Sequence, residues 1–272
     1  MRETLKLSFE MTNVLSRIEH NGLKVNLDTL DKIEKEYEDE MHELETRLHE
    51  LAKEAMGDTP INLASPDDKS MLLYSRKVKD KALWSMTFNL GHEMRGNTIK
   101  PKMKTRMKNT EFVRCVRRMT DVVYKTIGRQ CQTCGGSGRT TPLRKDGSVG
   151  KAKRVCKVCI GKGVNYTSTG EVAGFKLIPR TVRDTASAGF KTDKVTLEDR
   201  LSELDGNARE FCEAYVRYNA LRTYLSTFVE GMKNNVDDDS FIHPEFMQCV
   251  TATGRLSSRN PNFQNMPRGS TF

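Results

Sequence analysis

The amino-acid sequence predicts a mainly α-helical protein with long antiparallel helices and a small zinc-ribbon-like insertion. Two long segments, residues 30–55 and 197–233, repeat apolar residues at the spacing of one helix face. Two matched Cys-x-x-Cys motifs lie between them. Charged residues make up 30% of the 272 residues and aromatic residues 7%. This composition suits an elongated helical protein better than one compact globule.

The first 60 residues predict a short helix followed by a long one. Residues 1–25 are expected to form a helix that ends at Asn21-Gly22 and a brief extended segment, with N-caps for the next helix at Asn26 to Asp28. The long helix carries one narrow apolar stripe: Leu30, Ile33, Tyr37, Met41, Leu44, Leu48, Leu51 and Ala55. Such a stripe fits an antiparallel helical hairpin or a dimeric coiled coil. The hairpin is favoured, because residues 197–233 offer a return helix.

The middle of the chain gives weaker signals. Ser65 and Pro66 predict the capped start of a short helix that extends to about residue 75. Residues 82–106 show no sustained period and are predicted to be loop or weakly ordered. Residues 110–127 show helical spacing.

The net charge of +9 is concentrated in one stretch. Residues 76–129 contain 15 Lys or Arg and 4 Asp or Glu, a balance of +11, so the rest of the chain sums to −2. A concentrated basic stretch indicates a polyanionic partner, with nucleic acid the first candidate. A solvated basic linker is the alternative.

Four of the seven cysteines form two copies of a CxxCxGxG motif, at Cys131–Gly138 and Cys156–Gly163. Each motif brings two thiolates to one ion, so Cys131, Cys134, Cys156 and Cys159 are predicted to hold a structural zinc with no open coordination position. A redox dithiol is the alternative. The loop between the motifs adds further positive charge, which predicts a role in nucleic-acid or partner contact: Arg139, Arg144, Lys145, Lys151, Lys153 and Arg154.

The repeat resembles the zinc region of DnaJ-type chaperones over these 33 residues. The His-Pro-Asp tripeptide of the J-domain occurs nowhere in the sequence. A zinc chaperone or adaptor is therefore a minor alternative, as is a basic zinc protein that binds RNA or DNA.

The C-terminal segment gives the most specific signal. Residues 250–268 read VTATGRLSSRNPNFQNMPR and closely resemble the TATGRLSS…PN.QN.P segment of family A DNA polymerases, here expected to be of the phage type. Weaker resemblance to the family covers residues 11–25, 62–66, 221–228 and 243–248. Neither minor alternative explains this segment.

The resemblance implies both a fold and a set of DNA-binding residues. The long helices would be the thumb, and the C-terminal part would begin an α+β palm. Arg255 would reach the minor groove at the primer terminus, and Asn262, Gln264 and Asn265 would bond template and primer. Four further residues complete the predicted DNA-binding set: Thr253, Ser257, Arg222 and Arg268. The sequence departs from the family pattern at Gly269, where many members have Arg, and at Leu225, where they usually have Lys.

The predicted domains follow from these boundaries. Residues 1–75 would hold the opening helix and the first thumb helices, 76–130 a basic insertion, and 131–172 the zinc module. Residues 173–236 would be the returning thumb helices, and 237–272 the start of the palm.

No catalytic residue is predicted, because the palm carboxylate motifs that bind Mg²⁺ in the family have no counterpart in these 272 residues. We therefore expect a naturally split polymerase, inactive alone and completed by a second chain that carries palm, fingers and the bound Mg²⁺. A processed or engineered fragment is the alternative. The expected partners are that chain, primer-template DNA and a separate exonuclease or replisome protein at the zinc insertion.

The sequence contains no apolar run long enough for a membrane span and no secretory signal. A cytoplasmic protein is expected, located in the host cytoplasm if a phage encodes it.

Overall fold

The computed structural model describes residues 2–96, 98–141, 153–248, 250–251 and 254–266, with the backbone alone at residues 2–5 and 265. The chain divides into two compact units. One consists of residues 1–45 and 217–272, and the other of residues 46–216.

The described residues are mainly helical, as predicted. The α-helices are α1 (Arg2–Asn21), α2 (Leu27–Met56), α3 (Pro66–Tyr74), α4 (Lys81–Phe88), α5 (Asn109–Met119), α6 (Lys194–Arg200), α7 (Gly206–Thr223) and α8 (Glu230–Lys233). A π-helical segment, Tyr224–Val229, joins α7 to α8. Single 3₁₀ turns form at Val182–Asp184, Leu201–Glu203 and Phe263–Asn265. None of the helices in the described ranges combines the length and the apolar character needed to cross a bilayer.

The strands are short and pair antiparallel in twos. The pairs are β1 (Leu23–Lys24) with β12 (Phe241–Ile242), β2 (Arg76–Val78) with β5 (Thr120–Val122), β3 (His92–Arg95) with β4 (Thr98–Pro101), β6 (Tyr124–Gln130) with β9 (Val164–Val172), β7 (Arg139–Thr140) with β8 (Arg154–Val155), β10 (Thr185–Ala186) with β11 (Gly189–Phe190), and β13 (Glu245–Met247) with β14 (Ser257–Arg259).

Helices α2 and α7 run antiparallel in the unit of residues 46–216. The Arg47 guanidinium donates to Glu210 at 2.6 Å, and Asn207 donates to Glu54 at 2.7 Å. The residue number falls along α2 as it rises along α7, so the two helices have opposite directions.

The unit of residues 1–45 and 217–272 shows the same antiparallel order. The Arg217 guanidinium contacts the Glu40 carboxylate with two 2.7 Å bonds. Further along, Lys233 pairs with Asp31 at 2.5 Å and with Glu34. The eight apolar residues predicted to line α2 are all buried or half-buried, which confirms the stripe.

The core of the unit of residues 46–216 is built around aromatic rings. Trp84 contacts Phe88 with ring centroids 4.6 Å apart and Phe190 at 5.4 Å. Phe88 also contacts Phe112, and Tyr74 contacts Phe190 at 4.6 Å. All five side chains are fully buried or nearly so. Residues from the basic stretch therefore share one core with α3 and β11.

The structure corrects the prediction for residues 82–106. Most of this range is ordered as α4 and the β3–β4 hairpin. Asp80 caps α4 by accepting from the backbone N–H groups of Ala82 and Leu83. An eight-residue helix completes only about two turns, which is too short to show a period. Likewise, the helical spacing at 110–127 ends at Met119, where β5 begins.

The predicted helix at 197–233 also differs from the observed one. It is interrupted after Glu203 and resumes at Gly206. Its predicted inward residues, from Leu201 to Val229, are nevertheless all buried or half-buried. In α1, by contrast, Leu15 is buried, whereas the other apolar residues at helical spacing are exposed: Leu7, Met11, Val14 and Ile18.

Candidate metal centre and nucleic-acid interface

The four predicted cysteines converge on one point. The Sγ atoms of Cys131, Cys134, Cys156 and Cys159 all lie within 4.8 Å of one another. The Cys131 and Cys156 sulfurs are 3.9 Å apart, and those of Cys134 and Cys159 are 3.7 Å apart. A disulfide needs about 2.05 Å between sulfurs, so these are free thiols that face a common centre.

This geometry fits a tetrahedral metal ion. A Zn–S bond of about 2.3 Å places the corners of a regular tetrahedron about 3.8 Å apart, close to both measured separations. Three of the four cysteines are buried, and Cys134 is half-buried. Four sulfur ligands would fill every position, so the site suits a structural ion and leaves none open for substrate.

The backbone around the sulfurs has an approximate twofold repeat. Cys131 N–H donates to the Gly163 carbonyl at 2.8 Å, and Cys156 N–H donates to the Gly138 carbonyl at 2.9 Å. A Cβ atom built on Gly138 or Gly163 would lie 2.2 Å from a carbonyl oxygen of the other motif. Both positions therefore require glycine, which explains the G-x-G that follows each Cys pair.

The β6–β9 hairpin holds the centre at its end. Cys131 directly follows β6, and β9 begins directly after Gly163. The other end of β6 is fixed to the segment after α2: Asp58 N–H donates to the Thr126 carbonyl at 2.9 Å, and the Asp58 carboxylate accepts from Gly128 N–H at 2.8 Å. The sequence predicts the ligands but not this attachment.

The cysteine thiols do not share one pKa. Burial opposes ionisation of Cys131, but hydrogen bonds from Cys134 and from Thr133 N–H lower its pKa to about 7. Burial raises the pKa of Cys159 to about 11, although Gly163 N–H donates to its sulfur at 3.2 Å. Binding a metal ion through all four sulfurs therefore releases protons.

The polymerase-like segment forms a hairpin and a tight turn. Ser257 lies in β14 opposite Met247 of β13. The Asn262 side-chain oxygen accepts from Gln264 N–H at 3.1 Å, and the Ser258 hydroxyl donates to the same oxygen at 3.3 Å. Asn262 and Gln264 are thus brought together.

Arg255 is exposed on the same segment. Its backbone carbonyl accepts from the Thr251 hydroxyl at 2.7 Å. Within the described residues, its guanidinium has no carboxylate partner. The cation is therefore available to an anionic or acceptor-rich ligand.

The remaining predicted DNA-binding residues are only partly described. Arg222 is exposed on the last turn of α7, and its carbonyl accepts from the Ser226 hydroxyl at 2.8 Å. No hydrogen bond between described residues links its side chain to residues 254–266. Thr253 and Arg268 lie outside the described residues, as does the side chain of Asn265.

A cavity of about 840 Å³ in the unit of residues 46–216 is lined by six basic side chains and by the carboxylates of Asp184 and Asp199. Its cations come from two separate parts of the chain: Lys104, Arg106, Arg180, Arg183, Lys191 and Arg200. Arg200 and Arg180 pair with carboxylates, whereas Arg106, Arg183 and Lys191 pair with none among the described residues. The predicted site contains none of these six residues.

Lys104 is half-buried at this cavity. Its ammonium donates to the carbonyl oxygens of Arg183, at 3.0 Å, and of Thr185. Burial, and then repulsion from Lys191, lower its pKa to about 8. An anion placed between these two lysines would relieve that repulsion.

The described residues combine a mainly helical fold with four cysteines that could hold a metal ion and a cavity lined by six cations. Residues 148–271 match the model of DNA polymerase family A. This match confirms the resemblance to family A DNA polymerases seen in the C-terminal segment.

Curated relatives align with limited parts of the chain. DNA polymerase I of Synechocystis sp. is 40% identical over 85 residues, which is 31% of this chain and 8% of the relative. The DNA polymerase of Bacillus phage SP01 is 30% identical over 135 residues, 48% of this chain and 14% of the relative. DNA polymerase I of Mycobacterium bovis is 33% identical over 112 residues, 40% and 12% of the two chains. The chain thus spans a small part of each relative.

Among solved structures, the chain is similar to the POL domain of Pol1 from M. smegmatis in complex with DNA primer-template and dNTP. The identity is 18% and the TM-score 0.45, with 94% of this chain and 26% of that chain covered.

Proposed function

We propose that this chain is a non-catalytic part of a family A DNA polymerase that grips primer-template duplex and positions the primer terminus. The observation that carries the proposal is the family match over residues 148–271, which contains the exposed Arg255, Asn262 and Gln264. Helices α2 and α7 would form the thumb, and the β13–β14 hairpin would begin the palm.

The chemistry of these side chains suits the task. A polymerase must hold any sequence, so its contacts go to phosphates and to minor-groove acceptors. The Arg255 guanidinium is a planar, always-charged donor fork with no carboxylate partner in the described residues. Arg106, Arg183 and Lys191 offer unpaired cations for phosphates at the basic cavity.

The proposal assigns two metals to different places. Zinc would be held by Cys131, Cys134, Cys156 and Cys159 and would stabilise the fold of the module. Mg²⁺, which supports phosphoryl transfer when bound, would be held by palm carboxylates outside these 272 residues. We propose that a second chain with palm and fingers supplies them, in the cytoplasm of the host cell.

Duplex binding tests the DNA-gripping role. We expect Arg255→Ala to weaken binding of a labelled primer-template by about tenfold or more, because a hydrogen bond from a charged group contributes about 1.5–3 kcal/mol. Fluorescence anisotropy at fixed salt measures the loss. Arg259→Ala is the matched control, since it removes the same charge four residues away but its guanidinium already pairs with Glu245. Equal losses in the two variants would contradict a specific role for Arg255.

Primer extension tests the split arrangement. The chain alone should be inactive and should regain templated synthesis when mixed with a chain that carries palm and fingers. Arg255→Ala should lower the restored rate. Primer extension by this chain alone would refute the split arrangement. The duplex-binding experiment tests the role of Arg255 independently of that result.

A further inference from the structure

The two halves of the metal module have the same backbone but different surfaces. Each residue of the first motif has a counterpart 25 positions later, and the reciprocal bonds of Cys131 and Cys156 show that the counterparts are equivalent in space. We call residues 154–163 the second knuckle. Its sequence can therefore be compared position by position with residues 129–138.

The second knuckle carries three apolar side chains where the first does not. Val155, Val158 and Ile160 are 60%, 57% and 78% exposed. Their counterparts in the first motif are Gln130, Thr133 and Gly135. The metal centre does not need these side chains, because the first motif builds the same turn without them.

Ile160 is the least expected of the three. Its φ is +53°, and the φ of its counterpart Gly135 is +55°. The left-handed region is unfavourable for a β-branched residue and free of strain for glycine. An exposed side chain recovers little of that penalty through packing. Folding therefore gives no reason for isoleucine here, whereas contact with a ligand does.

The charges of the second knuckle indicate the kind of ligand. Lys157 and Lys162 replace Gln132 and Ser137 of the first motif, and Arg154 adjoins them. The described residues 127–141 and 153–170 contain six Lys or Arg and no Asp or Glu. Among the described residues, no carboxylate pairs with Arg154, Lys157 or Lys162. The ligand should be a polyanion that also presents apolar surface.

We propose that the second knuckle binds single-stranded DNA, with bases against Val155, Val158 and Ile160 and phosphates against Arg154, Lys157 and Lys162. Unpaired strands expose base faces for packing, whereas a duplex presents mainly phosphates and groove edges. Val155 ends β8 and Val158 and Ile160 lie in the turn that follows, so three exposed apolar side chains fall within six residues. This role is separate from duplex gripping and does not depend on a second polymerase chain.

Anisotropy of the zinc-loaded full chain tests the proposal with labelled oligothymidine and a duplex of equal length. Ile160→Gly copies the first motif and removes the strain, so the fold and the zinc content should be preserved. We expect about fivefold weaker binding of oligothymidine, because the isoleucine side chain would no longer be buried against a base, and unchanged duplex binding. Ile99→Ala is the control, because Ile99 is similarly exposed outside the module.

Salt dependence separates apolar from ionic contacts. Replacing Lys157 and Lys162 by Gln should reduce the log–log salt slope for oligothymidine by about 1.4, at about 0.7 per phosphate. Ile160→Gly should leave that slope unchanged. Undiminished oligothymidine binding by zinc-loaded Ile160→Gly would overturn the proposal. A second result would also overturn it. If Ile160→Gly abolished binding of an Asp-rich peptide with a terminal Phe but left oligothymidine binding unchanged, the second knuckle would bind a protein partner.

Discussion

At the scale of single residues, the arginine–carboxylate ion pairs differ in how deeply they are buried. Burial decides how much each pair contributes to the free energy of unfolding. The Arg200 side chain is 2% exposed and pairs with Asp184, 16% exposed, at 2.9 Å and with Glu203 at 3.0 Å. It also donates to the Ile178 carbonyl at 3.2 Å. The Arg47–Glu210 pair has a similar separation, 2.6 Å, but both side chains are more than 40% exposed.

Arg200→Met should destabilise the unit of residues 46–216 by about 3 kcal/mol, because it leaves a poorly solvated carboxylate without its cation. Trp84 is the only tryptophan and lies in the core of the same unit, so its fluorescence in a urea titration reports the change. Arg47→Met should give no resolvable shift, since exposed pairs are weak. An equally small shift for Arg200→Met would show that burial of this ion pair does not increase its contribution to stability.

Site residues can be predicted from the sequence when they lie close together along the chain. Arg255, Asn262 and Gln264 fall in one contiguous motif, and so do the cysteines of each pair. Lys104 and Arg183 are 79 residues apart in sequence, and only folding places the Lys104 ammonium on the Arg183 carbonyl. A local pattern cannot show such a juxtaposition.

At the scale of elements, the glycines of the metal module differ in how closely the backbone approaches them. A Cβ on Gly163 would lie 2.2 Å from the Gly136 carbonyl oxygen, whereas a Cβ on Gly135 would meet nothing within 4 Å. Both residues have positive φ, +73° and +55°. They therefore separate the effect of steric clash from that of backbone strain.

Gly163→Ala should weaken zinc binding by more than about tenfold, because the turn that positions Cys159 and Cys131 must open. Competition with a chromophoric chelator measures this loss. Gly135→Ala should have a much smaller effect, limited to left-handed strain. Equal zinc affinity in the two variants would mean that the turns tolerate a wider separation than the structure indicates.

Sequence periodicity did not reveal the short helices and strands. Helix α4 and the β3–β4 hairpin are stabilised by contacts distant in sequence, such as the 3.0 Å bond from the Trp84 indole to the Ala186 carbonyl. The long helix α2 was predictable because its apolar stripe continues through about seven turns. The interruption between α6 and α7 was not, because the predicted inward residues are buried or half-buried on both sides of it.

At the scale of the whole molecule, the uneven charge predicts strongly salt-dependent DNA binding. Residues 76–129 carry a balance of +11, while the remainder sums to −2. Three unpaired cations of the basic cavity, Arg106, Arg183 and Lys191, are the expected phosphate ligands.

Replacing these three residues by Gln should reduce the log–log salt slope of duplex binding by about 2.7, at about 0.9 per phosphate. The control replaces Lys81, Lys194 and Arg209 by Gln, which changes the net charge equally but removes cations that already pair with carboxylates. Equal slopes in the two triple variants would show that DNA senses only total charge and makes no defined contact at the cavity.

The sequence by itself predicted the resemblance to family A DNA polymerases, the four converging cysteines and the apolar stripes of the long helices. Each of these is written in a contiguous motif or in a period that persists over many turns. The tertiary structure alone decided the aromatic core around Trp84, the basic cavity and the exposed apolar surface of the second knuckle. Those features depend on which distant residues come into contact and which side chains stay exposed to solvent. Both are decided by the packing of the whole fold, which no local sequence pattern records.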